Sequence, residues 1–87
     1  MTIRLRDHVS LTDAEDGSGV LLDERSGQYW HLNESGLRTL RMSLDGATEP
    51  AIARALLPEA DGDQEQAVSD VRAVIEELLR AGLVVRR

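Results

Sequence analysis

His8 and His31 are the two histidines of the chain, and no cysteine accompanies them. An imidazole can serve as a general base or a metal ligand, but either task needs partners. A base needs a group to activate, and a metal needs further ligands at defined spacing. The sequence places no third ligand by spacing, so His31 reads as an exposed strand residue rather than a ligand or a base. With no thiol present, a thiolate site and a disulfide framework are both excluded. Asp13, Glu15 and Asp16 lack the spacing and the downstream glutamate of a calcium loop. No carboxylate pair and no glycine-rich phosphate loop stands out. These residues predict no metal, no cofactor and no catalysis by this chain.

The distinctive chemistry that remains is aromatic, and it sits in Gly27-Gln28-Tyr29-Trp30-His31-Leu32-Asn33. This stretch holds the only tyrosine and the only tryptophan, and the chain has no phenylalanine. In an extended segment Trp30 and Leu32 share one face, and Tyr29 and His31 the other. Trp30, a lone large ring in a small protein, is expected in the core. Gly27 closes the turn before the stretch, and Asn33 is placed to cap a helix after it.

The elements around this stretch follow from hydrophobic period. Ile3 and Leu5, then Val9 and Leu11, alternate with polar residues and predict a half-buried strand with a break near Asp7. The acidic, glycine-rich run 13–19 suits a hairpin loop, and Val20-Leu21-Leu22 a second strand with Val20 and Leu22 facing one way. After the turn at 23–27, Gln28 to Leu32 is the third strand. Two short connections in succession imply an antiparallel meander. The period then becomes helical. Leu37, Leu40 and Leu44 mark a first helix ending at Asp45-Gly46. Thr48 caps a second, with Ile52 and Leu56 as its buried edge and Pro58 as its stop. Glu59 to Gly62 reads as a turn. Asp63 and Gln66 resemble a capping box opening a third helix that runs to about Ala81, with Gly82 as terminator. Val68, Val71, Ile75 and Leu78 form its apolar stripe, widened by Ala67, Val74 and Ala81. Glu76 and Arg80 are spaced to pair at i,i+4 on a solvated face with Arg72, while Asp70 and Glu77 lie nearer the apolar edge and could rim a groove.

The expected fold class is α+β, with the sheet against one side of the helices. At 87 residues the chain is read as a single domain over 1–87, just large enough for one core. Sixteen acidic residues against ten basic ones, all arginine, give a formal charge of −6. That balance argues against nucleic acid or an anionic membrane as the main partner. No apolar run approaches the roughly 20 residues of a membrane helix, and no signal-peptide core opens the chain, which predicts a cytoplasmic protein.

The ordered set Gly27-x-Tyr29-x-x-Leu32-Asn33-x-x-Gly36, Leu44-Asp45-Gly46, Asp70-Val71 and Leu78-x-x-x-Gly82-Leu83 resembles the PqqD family. That family includes the precursor-recognition elements of ribosomal peptide pathways. No single motif is specific, but the set at these spacings is, and it spans from about Val9 to Val85. The small, acidic, arginine-rich chain is most similar to the stand-alone leader-binding proteins of lasso-peptide pathways. The resemblance implies a winged-helix-like fold of three antiparallel strands and three helices. It also implies that a precursor's leader segment adds as a strand to the third strand, in a cleft against the third helix. Carried onto this chain, the backbone of Gln28, Tyr29, Trp30, His31 and Leu32 would pair with the leader. Tyr29 or His31, with Ala67, Asp70, Val71, Val74 and Leu78, would line the cleft, and Glu77 would rim it. Leaders of this kind present a tyrosine and a proline to an apolar pocket. The implied partners are a leader peptidase of the cysteine-protease type and an asparagine-synthetase-like cyclase. The chain departs from the family where Thr39-Leu40 replace a frequent aromatic late in the first helix, and that helix is about one residue longer.

One reading competes within this family and two outside it. A chaperone of pyrroloquinoline quinone biosynthesis would present its peptide to a radical enzyme. A winged-helix DNA-binding protein would need a basic third helix, whereas this one sets Asp70, Glu76 and Glu77 against Arg72 and Arg80. An enzyme finds no constellation to support it.

Overall fold

The computed structural model describes residues 2–56 and 63–86, so the expected stop at Pro58 and turn over 59–62 lie outside the described residues. In chain order the elements are β1 (Ile3–Leu5), β2 (Val9–Asp13), β3 (Gly19–Asp23), β4 (Tyr29–Leu32), α1 (Glu34–Leu44), α2 (Glu49–Leu56), α3 (Gln64–Arg80) and β5 (Val84–Arg86). The class is α+β: β2, β3 and β4 form a three-stranded antiparallel meander, and three helices follow it.

The break expected near Asp7 is complete. β1 leaves the meander and pairs antiparallel with β5 in a second, two-stranded ladder, with Ile3 opposite Arg86 and Leu5 opposite Val84. The cause is a turn between them. The Arg6 amide donates to the Leu83 carbonyl at 3.1 Å, and the Val9 amide donates to the Arg6 carbonyl at 3.0 Å. The chain is thereby redirected before β2 begins.

Each helix start is capped by the residue its sequence offers. Asn33 Oδ1 accepts from the Gly36 amide at 2.8 Å, Thr48 Oγ1 from the Ala51 amide at 3.3 Å and Asp63 Oδ1 from the Gln66 amide at 2.8 Å. The expected capping box at α3 is only half formed, because the Gln66 side chain donates to Asp70 instead, at 2.9 Å. At the far end of α3, Gly82 has φ +76°. The Gly82 amide donates to the Leu79 carbonyl and the Leu83 amide to the Leu78 carbonyl, both at 3.1 Å. This is the paired 5→2 and 6→1 bonding of a Schellman end, which needs a left-handed residue and so favours glycine. α1 ends the same way at Gly46.

The core is aliphatic. Ile3, Leu21, Leu40, Ile52, Ile75 and Leu83 are fully buried, drawn from both sheets, all three helices and the α3–β5 link. Burying each such side chain is worth roughly 1.5–3 kcal/mol before entropy is counted. In β3 the residue that reaches the core is Leu21, while Val20 and Leu22 turn to the other face and stay half-buried. On α3 the buried stripe is Ala67, Val71, Ile75 and Leu78, with Val68 and Val74 at its half-buried margins. The expected Glu76–Arg80 pair does not form; Arg80 instead meets Glu77 at 3.1 Å. Arg72 reaches across to Glu49 Oε1 with two nitrogens, at 3.3 and 3.2 Å, and so ties α3 to α2.

Candidate peptide-binding cleft

The strand at the centre of the sequence reading, β4, is launched by a tight turn. Asp23 Oδ1 accepts from the amides of Arg25 at 2.9 Å and Ser26 at 3.4 Å, and the Gly27 amide closes back on the Asp23 carbonyl at 2.7 Å. Burial pushes the Asp23 carboxyl up, but the two amides and the nearby His8 outweigh it, so its pKa lies below the ordinary carboxylate value. At the other end Asn33 passes the chain directly into α1.

The strand order β2-β3-β4 leaves β4 at an edge. Its register sets Trp30 opposite the fully buried Leu21, and Tyr29 opposite Leu22. Trp30 and Leu32 therefore face inward, while Tyr29, 63% exposed, and His31 face outward. The expectation of a core Trp30 needs correcting. The ring is half-buried and packs on the margin of the core, because it sits on the last strand, beyond which only α3 can cover it.

Between β4 and α3 lies a hollow of about 320 Å³, lined by Trp30, His31, Leu32, Ala73, Val74, Glu77 and Leu78. A second hollow of about 170 Å³ continues towards α1 and the end of α2, where Ala67, Asp70, Val71 and Val74 meet Ser35, Thr39 and Leu56. Val74 borders both. The helical contributors recur every three or four residues, so they form one stripe along α3. From Ala67 to Leu78 that stripe is about 16 Å long at 1.5 Å per residue. It could accompany about five residues of extended peptide at ~3.3 Å each.

The lining is mostly apolar and the rim is acidic. Asp70 and Glu77 are exposed, the first bonded to Gln66 and the second to Arg80. Thr39 is buried, and its hydroxyl donates to the Ser35 carbonyl at 2.8 Å, so its proton is already committed within α1.

The structure thus brings together Trp30, His31, Leu32, Ala67, Asp70, Val71, Val74, Glu77 and Leu78 around the two hollows. Gln28 and Tyr29 line neither; of the two outward residues on β4, it is His31 that borders the cleft. Sequence reading missed Ser35, Thr39, Leu56 and Ala73. Ala73 could have been found, since it shares the helical face of Asp70 and Glu77; the others depend on how α1 and α2 cross α3. Among the described residues no cluster of three or more His, Asp or Glu side chains is placed to hold a metal ion. Nor is any helix there long and apolar enough to cross a membrane. What the site offers, among the described residues, is an unpaired backbone edge beside an apolar trough.

No curated protein matches the chain significantly. Among solved structures, the fold superposes on a lasso peptide synthetase B1 complexed with the leader peptide. The TM-score is 0.87 at 32% identity, over 98% of this chain and 99% of the other. It shares its fold with TbiB1, solved in complex with the TbiA(beta) leader peptide, with a TM-score of 0.78 at 24% identity over 97% and 94%. The family model described as coenzyme PQQ synthesis protein D, PqqD, matches residues 18–84, from the start of β3 through α3 into β5. The chain belongs to the PqqD family.

Proposed function

We propose that this protein binds the leader segment of a ribosomally made precursor peptide as an added strand on β4, and delivers it to a separate leader peptidase during lasso peptide maturation. One observation carries the reading: the free edge of β4 runs beside the apolar stripe of α3. An edge strand presents N–H and C=O groups that a peptide strand satisfies without regard to sequence, while side-chain hollows choose the sequence. The 32%-identical relative, solved with a leader peptide, supports this occupant. In this reading the chain is a recognition module rather than a catalyst, and α2 and α3 beside the β3–β4 hairpin serve as a winged helix turned to peptide. Binding would raise the local concentration of the cleavage site for a peptidase of the cysteine-protease type docked on the same protein. An asparagine-synthetase-like cyclase would act after it. The precursor is met where ribosomes make it, which makes the cytoplasm the compartment. Because the family description names coenzyme PQQ synthesis, presentation of a precursor to a radical enzyme is the second reading.

The test is calorimetric titration with synthetic leader peptides from each kind of pathway, against the wild type and Val74→Glu. Val74 borders both hollows and is only half-buried. A carboxylate there should weaken binding at least tenfold, roughly 1.4 kcal/mol or more, with little change in Tm. Saturable binding of the lasso leader alone selects the first reading. An unchanged Kd in the variant removes Val74 from the cleft, and no binding of any leader removes the function.

A further inference from the structure

The charge of this protein is −6, yet at one end of the meander its surface has the opposite sign. A hollow of about 210 Å³ there is lined by Arg4, Arg6, Asp7, His8, Arg25 and Val85. Topology makes this corner. Arg6 to His8 connect β1 to β2, Arg25 lies in the β3–β4 turn, and the Glu24 amide donates to the His8 carbonyl at 2.8 Å, locking the two connections together. Val85, in the ladder with β1, supplies the apolar wall.

The local balance is three arginines against one carboxylate. That carboxylate, Asp7, pairs among the described residues with Arg4 alone, at 3.7 Å, and is fully exposed, so it neutralises little. Among the described residues no ion pair holds Arg6 or Arg25. Arg41, Arg72 and Arg80, by contrast, each meet an acidic side chain. Asp23, behind the corner, already accepts from two amides and faces His8 at 3.8 Å. Guanidiniums gathered in a hollow, those of Arg6 and Arg25 without an ion pair among the described residues, offer several forked donors to carboxylates.

We infer that the Arg4–Arg6–Arg25 hollow is a docking site for an acidic segment of the protein that acts on the bound peptide. Naming that occupant rests on the leader-binding reading; the hollow's preference for carboxylates does not. Position supports the assignment. The hollow abuts the turn that opens β4, so a partner seated there lies at one end of the peptide track without covering the α3 stripe. The charge pattern supports a polypeptide over a nucleic acid. Outside this corner the acidic surface repels a long polyanion, whereas a short acidic segment is admitted.

The experiment compares wild type with Arg6→Gln/Arg25→Gln. A fluorescent peptide containing six consecutive glutamates should bind the wild type, more weakly at 300 than at 50 mM salt, and at least tenfold more weakly to the double variant. Leader affinity should stay within twofold, which also shows the variant folded, while leader cleavage at sub-saturating peptidase falls at least tenfold. Equal binding of the glutamate probe by both proteins, or by neither, overturns the site. Displacement of the probe by inorganic phosphate or short duplex DNA at lower concentration than by unlabelled glutamate peptide overturns the polypeptide assignment. Unchanged cleavage overturns the named occupant. A wild type that binds the glutamate probe but no leader would overturn the leader-binding reading and leave the carboxylate site standing.

Discussion

Trp30 holds two roles apart only by degree of burial. Its inward face packs on the core margin beside Leu21, and its other side lines the hollow under α3. A fully buried ring replaced by alanine costs about 3–5 kcal/mol; a half-buried one loses about half as much apolar contact. Trp30→Ala should therefore lower stability by about 2 kcal/mol in denaturant unfolding and also weaken leader binding. A variant with wild-type stability would show that the ring belongs to the cleft alone. The sequence made the two faces of this strand legible through simple alternation. It could not show how far Trp30 is buried, because that depends on β4 being the last strand and on where α3 lies. The same limit explains Thr39 and Leu56: the first stood out only as a departure from the family and the second as a buried edge, and only the crossing of α1, α2 and α3 turns them towards a hollow.

At the scale of elements, the β3–β4 turn is the piece that fixes where β4 starts. Asp23 is its knot, and its carboxylate form is the one the Arg25 and Ser26 amides favour. A carboxyl whose pKa is lowered on folding adds stability above its unfolded value, near 4, and loses it as the pH falls through the folded value. Asp23→Asn should thus lower Tm at pH 7 and flatten the decline in Tm below about pH 4, as followed by circular dichroism across pH. A variant whose acid decline matches wild type would remove Asp23 from that linkage. The helices were the most legible elements, since caps at Asn33, Thr48 and Asp63 and stops at Gly46 and Gly82 are local chemistry. The N-terminal strand was less so. Whether a short apolar run continues a meander or leaves it is settled by a partner at the far end of the chain, and period alone carries no trace of that partner.

Across the whole molecule, the acidic rim of Asp70 and Glu77 and the charge of −6 bias the approach of ligands more than their final grip. A leader extended by two lysines at one end should associate faster than the parent at 20 mM ionic strength. The advantage should collapse above about 0.3 M, where screening reaches only a few ångströms. Stopped-flow association rates would measure this, and a gain that persists in high salt would place the lysines in direct contact instead. The family set in the sequence, from Gly27 to Leu83, falls on β4 and on α1 and α3 with their glycine ends, so it marks the scaffold that holds the cleft as much as the cleft itself.

The β1–β5 ladder has a consequence in time. Ile3 is wholly buried and belongs to the core, but its strand partner is Arg86, almost the entire sequence away. As the chain emerges from the ribosome, β2–β4 and each helix can find neighbours early, whereas β1 must wait, its apolar side uncovered, until residues 84–86 arrive. Closing so long a loop is the slow, non-local step that topology imposes on folding rate. The last residues of β5 thus act as a latch on synthesis: the core seals only once they are made.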